Sequence, residues 1–408
     1  MPGPTPESGT SNPTPVSDTA LVGRPRSYGA IVWGQLRKRS SAMISLMIIF
    51  LVALAAMLAP FIAGEVPIRW VENGQASWPI FRYLTNAEYV AMLAFVLAAA
   101  LPLTVRLVRR RAERVGASPL MRAIAIHAGI WIVVAAGLLI LREPERRYGF
   151  YLERAGEAQS AWFPLIPTPR YPGYESLVHR DEPPSWQHPF GTGRLGDDIL
   201  LRILYGGRTA LTIGFVAVGI SACIGVVLGS LSGYFLRWVD LTVMRLAEIF
   251  MFIPQLVLII IILAVIPSSM DPLWAVVFVI GVTGWTGTYR LMRAELLRIR
   301  GEDYMTAARA LGLPTWRLLL RHAIPNGLAP ILVGATFGIA GAVFIEVSLA
   351  FLNLVQTPSW GELLTDGRQH LETWWVWGSA GAAIFVTVLV YNLLGEAIRD
   401  AIDPKLKV

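Results

Sequence analysis

The sequence predicts an all-α polytopic membrane protein, and three observations support that fold class. The chain of 408 residues is 54% hydrophobic and only 15% charged, whereas a soluble domain carries about 25% charged residues. Eight apolar stretches each come close to the roughly 20 residues that a helix needs to cross the hydrocarbon core. The arginines cluster at the ends of these stretches, so the net charge of +7 indicates membrane topology rather than nucleic-acid binding.

The N-terminal region, residues 1–42, is expected to be a basic, disordered cytoplasmic segment. Residues 1–27 are rich in Pro, Ser, Thr and Gly, a composition that buries too little apolar surface to fold. They contain no short apolar stretch followed by a small-residue cleavage site, so we expect no signal peptide. The first span follows the basic cluster Arg37, Lys38 and Arg39, which favours a retained helix that starts on the inner side.

The apolar runs divide the rest of the chain. The expected spans are about 43–63, 88–105, 123–141, 210–233, 245–266, 273–289, 327–350 and 376–396. The expected regions after 1–42 are the first transmembrane helix 43–63, a region 64–141 with two additional spans, an external loop 142–208, a core 209–400 with an inner loop 290–325, and a cytoplasmic tail 401–408.

Eight spans place both termini on one side, and the basic residues indicate that this side is the cytoplasm. The segments expected inside hold 23 of the 35 lysines and arginines, with a dense cluster in 106–122. The short outer loops hold only Arg69, Arg82 and Arg368. The long loop 142–208 carries little topological weight, because long loops cross membranes largely regardless of charge. The sequence therefore predicts an N-in, C-in protein.

One inner segment, residues 304–326, is too polar for lipid and too apolar on one face for water. Ala307 and Ala308 are good helix formers and predict a short helix. Gly312 suits a left-handed position at the end of that helix. Pro325 is expected to end a second short helix before the next span. The small side chains would let another backbone or a bulky side chain approach closely.

The second short helix of segment 304–326 is expected to be amphipathic. Trp316, Leu319 and Leu320 are placed on one side of it. Arg317 and Arg321 share the other side, four residues apart. These residues leave two interpretations open: an amphipathic hairpin resting on the lipid interface, or a contact with another protein.

Three residues in or beside apolar runs are candidates for a translocation pathway or its gate. A charge at the centre of a span costs about 2.5–3.5 kcal/mol on insertion scales, so Glu346 should face protein or water. Glu346 either lines the pathway or lies near the outer end of its span, paired with an arginine or hydrogen-bonded. Glu248 begins a span beside Arg245, which favours an interfacial charge. Pro254 should bend its helix, because it removes a backbone hydrogen bond.

The sequence contains no motif for catalysis, metal binding or nucleotide binding. None of its three lysines lies in a G-x-x-x-x-G-K-[ST] phosphate loop, so any use of ATP must come from a partner. No H-E-x-x-H, C-x-x-C or G-x-S-x-G motif occurs, which disfavours a membrane enzyme. A secondary transporter driven by an ion gradient stays an alternative, although its usual midplane acids and repeated halves are missing.

Segment 304–326 resembles the signature of binding-protein-dependent ABC importer permeases. The family pattern is Glu-Ala-Ala, three residues, Gly, nine residues, Ile-x-Leu-Pro, and Thr306 stands where the family often has Glu. In that family the segment forms a coupling helix that docks in a groove on a separate ATPase subunit. The resemblance implies an ATPase-coupling site formed by Tyr304, Ala307, Ala308, Gly312, Trp316, Arg317, His322 and Pro325.

Residues 188–198, HPFGTGRLGDD, resemble the outer segment of dipeptide and oligopeptide permeases. The family pattern there is close to His-Pro-Phe-Gly-Thr-Asp-x-x-Gly-Arg-Asp. Gly193 replaces the first Asp of that pattern, and Asp197 replaces its Arg. The resemblance implies an external loop motif formed by Gly191, Thr192, Gly196 and Asp198. Further matches follow in family order at 233–254, 350–354, 358–371 and 395–408.

The resemblance covers about residues 185–408 and the first span. It implies an ABC type I importer permease fold with a core of about six helices, to which region 64–141 adds two. It also implies a bacterial inner-membrane subunit whose partners are a second homologous permease, two ATP-binding subunits and an external substrate-binding protein. ATP and Mg would be bound by the ATP-binding subunits. A peptide is the expected substrate, with nickel, oligosaccharides and modified peptides as alternatives.

Overall fold

A computed structural model describes residues 28–84, 103–108, 158–166, 179–267 and 270–402, together with isolated positions between 89 and 156. The expected tail 1–27 and the last residues, 403–408, lie outside the described residues. The two additional spans, 88–105 and 123–141, lie largely outside them as well.

The described chain is mainly helical. Its helices are α1 (Tyr28–Leu36), α2 (Ser40–Ile62), α3 (Pro79–Tyr83), α4 (Ile199–Phe235), α5 (Trp238–Phe252), α6 (Gln255–Val265), α7 (Pro272–Arg300), α8 (Asp303–Ala310), α9 (Thr315–Phe351), α10 (Trp360–Gln369) and α11 (Trp374–Ile402). Among the described residues, α2, α4, α7, α9 and α11 are long and apolar enough to cross a membrane. The pair α5 and α6 gives a sixth crossing if it counts as one span.

Several helices extend beyond their expected spans. α4 begins eleven residues before the expected 210, at Ile199, and α7 continues past 289 to Arg300. These extensions carry charged residues such as Arg202 and Arg298, which an apolar window excludes although they continue the helix. The expected bounds therefore mark the apolar part of each helix and miss its polar ends.

The α5–α6 pair is broken at Pro254, where the sequence predicts a bend. The two helices meet at 91°, and both Ile253 and Pro254 have extended backbone angles. Proline lacks an N–H group and clashes with the preceding turn, so the helix stops and restarts in a new direction. The expected span 245–266 is therefore two short helices.

Three glycines one turn apart bring α4 and α7 into close contact. A Cβ atom added at Gly225 would lie 2.5 Å from the Thr288 Cβ, and one added at Gly229 would lie 2.7 Å from the Met292 Cβ. Gly233 meets the next turn of α7 in the same way. Small residues at four-residue spacing let membrane helices approach until their backbones touch, so this contact fixes the centre of the bundle.

A small antiparallel sheet follows α2, in addition to the expected helices. Its strands are β1 (Arg69–Glu72), β2 (Gln75–Ser77) and β3 (Ser160–Trp162), in the order β2-β1-β3. Asn73 and Gly74 both have positive φ, as a two-residue hairpin turn requires, and they join β1 to β2. β3 pairs with the other edge of β1 from far along the chain.

Candidate functional site

Segment 304–326 forms a helix, a glycine turn and a second helix, as the sequence predicts. α8 ends at Ala310, and Gly312 follows with φ of +75°, a left-handed conformation that glycine adopts without strain. α9 begins at Thr315, directly after Pro314. The segment therefore reverses the chain tightly between α7 and α9.

The expectation that Pro325 ends the second helix is wrong. The helix that starts at Thr315 continues to Phe351, and it contains a π-helical turn at Leu319–Ala323. The wider π turn changes the hydrogen-bond register just before Pro325, so the missing N–H group does not stop the helix. The second helix of the segment is thus the first part of a helix long and apolar enough to cross the membrane.

The base of segment 304–326 is buried against α7. Met305 and Leu318 are fully buried, and Leu319 is nearly so, in a cluster that includes Leu296 and Ile299 of α7. The expectation that Leu319 shares a face with Trp316 and Leu320 is therefore wrong, because Leu319 packs with Leu318 in this buried cluster.

The outer surface of the segment exposes large apolar side chains. Leu311 is 81% exposed, and Trp316 and Leu320 are each 60% exposed. Tyr304 is also exposed, and we call these four residues the inner apolar patch. The Arg317 guanidinium lies 5.3 Å from the centre of the Trp316 ring. A concentrated apolar patch with a polar surround is typical of a surface that another molecule covers.

The small residues of the segment differ in their exposure. Ala307 is exposed, whereas Ala308 is half-buried and packs against the cluster of Met305 and Leu318. A Cβ atom added at Gly312 would meet no atom within 4 Å. Ala307 and Gly312 therefore lie open to an approaching partner, whereas Ala308 belongs to the base of the segment.

The remaining candidate residues of the coupling site lie where the segment enters α9. His322 is half-buried, and Pro325 is exposed. The Asn326 amide donates a hydrogen bond of 2.9 Å to the His322 carbonyl and lies 3.4 Å from the Tyr304 hydroxyl. Thr306, which stands at the family's Glu position, is exposed on α8.

Ion pairs hold the turn between α7 and α8. Arg298 contacts Glu295 at 2.6 Å and Glu302 at 2.7 Å. The Arg309 guanidinium donates to the Arg300 carbonyl at 2.7 Å. These contacts are exposed and contribute modestly to stability, but they fix the direction in which α8 leaves α7.

A large cleft begins beside segment 304–326. It has a volume of about 1550 Å³ and lies between α4, α7, α9 and α11, with α1 at its edge. Phe215 and Phe337 form part of its apolar wall, and Tyr304, Pro325 and Arg298 line its other end. This volume is larger than that of most small-molecule pockets. The candidate coupling residues Tyr304 and Pro325 thus border this cleft.

Glu346 lies inside this subunit. It is 2% exposed, and its Oε1 accepts a hydrogen bond of 3.3 Å from the Thr357 hydroxyl. Its Oε2 is buried and has no hydrogen-bond partner among the described residues. This environment favours the alternative of a hydrogen-bonded Glu, here with a threonine rather than an arginine.

The other two candidates for the pathway lie on the α5–α6 pair. The Arg245 guanidinium contacts the Glu248 carboxylate at 2.6 Å, with both side chains largely exposed. Glu248 is therefore paired with the arginine beside which the sequence places it, and its position at the membrane interface stays a prediction. Pro254 lies at the 91° break, so its position explains the shape of the pair rather than a contact with substrate.

The external loop motif builds the turn that starts α4. Gly191 and Gly196 have φ of +72° and +74°, which their lack of a side chain permits. Thr192 is fully buried, and its hydroxyl donates to the His179 carbonyl at 2.6 Å. The Asp198 side chain accepts from the Leu201 N–H at 3.2 Å and so caps α4. The motif residues therefore have a structural role at the start of this helix.

Comparison with known proteins decides the family. A model of the binding-protein-dependent transport system inner membrane component matches residues 225–408, and a model of the N-terminal transmembrane domain of oligopeptide transport permease C matches residues 27–73. The dipeptide transport system permease protein DppC of Alkalihalophilus pseudofirmus is 37% identical over 235 residues, which cover 56% of this chain and 76% of that protein. This chain belongs to the binding-protein-dependent transport permeases.

A second relative agrees with that family. The oligopeptide transport system permease protein OppC of Bacillus subtilis is 36% identical over 237 residues, which cover 57% of this permease and 76% of that protein. A solved structure of the inward-facing MetNI methionine ABC transporter is 19% identical, covers 50% of this permease and 96% of its own chain, and has a TM-score of 0.43. The permease is a multi-pass component of the inner membrane.

The stretch between the two matched ranges, residues 74–224, holds β2, β3 and the external loop motif. Among the described residues of the permease, no group of three His, Cys, Asp or Glu side chains is arranged to hold a metal ion.

Sequence reasoning missed two charged contacts that join helices of the permease. The Arg293 guanidinium of α7 donates two hydrogen bonds of 2.6 Å to the Asp240 carboxylate of α5. The Ser232 hydroxyl of α4 donates to the same carboxylate. The second contact joins Arg202 of α4 to Glu362 and Asp366 of α10. The signal available in the sequence is a charge at the end of an apolar run, but its partner cannot be identified from one chain.

Proposed function

We propose that this permease is the membrane-spanning subunit of an ATP-driven peptide importer and that its inner apolar patch docks on a separate ATPase subunit. The exposure of Leu311, Trp316 and Leu320 carries this proposal. Such bulky side chains at a chain reversal fit an intermolecular contact, since burying each one fully is worth about 1.5–3 kcal/mol.

Charge supports the cytoplasmic location that docking requires. The inner loop 290–325 holds seven arginines, the largest number in any segment expected inside. Basic residues favour the cytoplasmic side of a membrane. The proposed topology is therefore N-in, C-in, with segment 304–326 inside and the external loop motif outside.

The geometry of α9 supports mechanical coupling. The helix runs without interruption from Thr315, beside the patch, to Phe351. At 1.5 Å per residue its 37 residues span about 55 Å. The base of the segment also packs on α7, so a displacement of the docked segment moves both helices. ATP-driven closure of the ATPases would thereby reach the opposite face of the membrane.

The proposed assembly contains a second homologous permease, two ATP-binding subunits and an external substrate-binding protein. ATP and Mg would bind in the ATP-binding subunits. Peptides are the proposed substrate class, because relatives of this permease are named as dipeptide and oligopeptide permeases. The ligand found in the cognate binding protein, isolated from cells, tests this class. A metal ion or an oligosaccharide there would replace it.

The docking proposal is tested with two matched leucines. Leu311→Asn removes an exposed apolar side chain from the patch, whereas Leu371→Asn removes one that is 70% exposed beyond α10, on the side proposed to be outside. Neither change opens a buried cavity, so we expect both variants to insert and fold. We expect only Leu311→Asn to reduce copurification of the ATPase and uptake of substrate.

Two outcomes would contradict docking at the patch. In one, the Leu311→Asn variant retains the ATPase and transports at the wild-type rate. In the other, both leucine variants lose the ATPase equally, which indicates a general defect. Ala307→Trp provides a second probe of the same contact, because Ala307 is exposed and its replacement leaves the buried base intact. Tryptophan is favoured at headgroup level, so a segment resting on lipid would tolerate that change.

A further inference from the structure

Helix α10 lies against the outer half of α4 along a line of polar contacts, which we call the α4–α10 seam. The Trp360 indole N–H donates to the Ile203 carbonyl at 2.9 Å. Six residues further along α4, the Thr209 hydroxyl donates to the Pro358 carbonyl at 2.7 Å. The seam thus joins two elements that are about 150 residues apart in the chain.

Arg202 is the charged centre of this seam. Its guanidinium contacts Asp366 at 2.7 Å and Glu362 at 3.5 Å, both on α10. It also contacts Asp197, which precedes α4, at 2.9 Å. One cation therefore contacts three carboxylates and partly offsets their charge. Without it these acids would repel one another and push α10 away from α4.

The three acids differ in their contact with water. Asp197 is 8% exposed, and its Oδ1 has no hydrogen-bond partner among the described residues. The side chains of Glu362 and Asp366 are 45% and 48% exposed. Asp197 therefore holds Arg202 in place on α4, whereas water can replace the guanidinium at the two acids of α10. The charged contacts on the α10 side are therefore the hydrated part of the seam.

The apolar part of the seam belongs to a buried cluster that α10 shares with α4, α9 and α11. Trp360 is 3% exposed, and a Cβ atom added at Gly206 would lie 2.7 Å from its ring. α10 is joined to α9 by residues 352–359 and to α11 by residues 370–373. Movement of the outer ends of those two spans must therefore move α10 with them.

We infer that Arg202 is a positioning residue of an outer gate: it holds α10 closed on α4, and the seam opens once in each transport cycle. This inference rests on the proposed import function, since alternating access requires the outer side to open. α9 supplies the connection, because its inner end carries the proposed docking segment and its outer end leads to α10.

A reversible cross-link tests whether the seam opens. The permease has a single cysteine, Cys223, so a Cys223→Ser background accepts Thr209→Cys with Pro358→Cys at the closest polar contact of the seam. The measurements use the full complex with its ATPases. We expect the disulfide to form more slowly when vanadate traps the ATPases, to abolish ATP turnover once formed, and to release turnover on reduction. The single-cysteine variants control for effects of the oxidant.

The gate is refuted if the disulfide forms at the same rate in both nucleotide states and the cross-linked complex hydrolyses ATP as fast as the reduced one. Both readouts require only bound ATPases and no known substrate. If the proposed function is wrong, the purified permease will carry no ATPases, and this result is seen before any cross-linking is done.

Charge variants test the role of Arg202 itself. Arg202→Gln should raise ATP hydrolysis several-fold in the complex without binding protein, because an open gate favours the state in which the ATPases close. The hydrolysis rate of Arg202→Lys should lie between those of the wild type and Arg202→Gln. Lysine keeps the positive charge but lacks the planar guanidinium that can bond two carboxylates at once. Adding Glu362→Gln and Asp366→Asn to Arg202→Gln should restore low hydrolysis, because the repulsion is removed.

Arg208→Gln is the matched control for these variants. Arg208 lies on the same helix and stacks on Tyr205 at 5.4 Å, and its replacement should leave the hydrolysis rate unchanged. If the variant with Arg202→Gln, Glu362→Gln and Asp366→Asn hydrolyses ATP as fast as Arg202→Gln alone, charge pairing by Arg202 does not hold the gate closed. Equal changes of the ATP hydrolysis rate in Arg202→Gln and Arg208→Gln would also contradict a specific role of Arg202.

Discussion

At position 346 a carboxylate is enclosed by its own subunit, and this placement changes what its substitution should do. Glu346→Gln keeps an acceptor for the Thr357 hydroxyl and removes a charge from a site that is 2% exposed. We expect this variant to assemble and to import at close to the wild-type rate. Glu346→Ala should lower the yield of folded complex, because a buried hydrogen bond contributes about 1 kcal/mol.

Assembly and uptake, measured on the same preparations, separate the two roles of Glu346. Thr357→Val is the control, because it removes the donor and leaves the acid. If Glu346→Gln assembles normally but loses substrate uptake, Glu346 acts in the translocation pathway.

Residue-level predictions from the sequence succeed where chemistry is local. The left-handed Gly312 and the break at Pro254 follow from the backbone properties of glycine and proline. The partners of Arg202 could not be predicted, because Glu362 lies about 160 residues away and only the folded chain brings it near. The burial of Leu319 was missed because it depends on a tertiary contact with α7.

At the scale of helices, the α4–α7 contact predicts a strong dependence on side-chain volume. Gly229→Leu should reduce the thermal stability and yield of the permease, because its Cβ would lie 2.7 Å from the Tyr289 carbonyl oxygen. Overpacking typically costs about 1–3 kcal/mol, and a backbone neighbour cannot rotate away.

Gly219→Leu is the matched control on the same helix. A Cβ atom there would meet no atom within 4 Å. The measurement is the thermal stability of the detergent-solubilised permease. Equal stability of the Gly229 and Gly219 variants would contradict glycine-mediated packing.

Element boundaries were harder to predict than element existence. The apolar windows find α2, α4, α7, α9 and α11, but they stop where charges begin and so shorten α4 and α7. The small sheet was missed because β2 is only three residues long and β3 pairs with β1 from residue 160. Its one local signal is the Asn73-Gly74 pair, which is typical of a tight hairpin.

At the scale of the molecule, the charge distribution predicts which ends face the cytoplasm. In a Cys223→Ser background, a cysteine placed at Leu311 should react with a membrane-impermeant maleimide only from the inside. A cysteine placed at Leu371 should react only from the outside. Both sites are largely exposed, so access and not burial decides the result.

A reporter fused after Arg114 distinguishes eight spans from six. With the two additional spans 88–105 and 123–141, the reporter lies inside. Without them, the whole stretch between α2 and α4 lies outside. An external reporter would contradict the N-in, eight-span topology. Labelling of both cysteines from the same side of the membrane would contradict it as well.

The turn before α4 also couples two positions of the chain. A Cβ atom at Gly193 would lie 2.8 Å from the Asp197 Oδ1, so a side chain at position 193 would meet the side chain at position 197. A chain with Asp at both positions would press two carboxylates together in a buried turn. Aspartate at 197 therefore requires a residue without a side chain at 193, and the effects of substituting these two positions should not be additive.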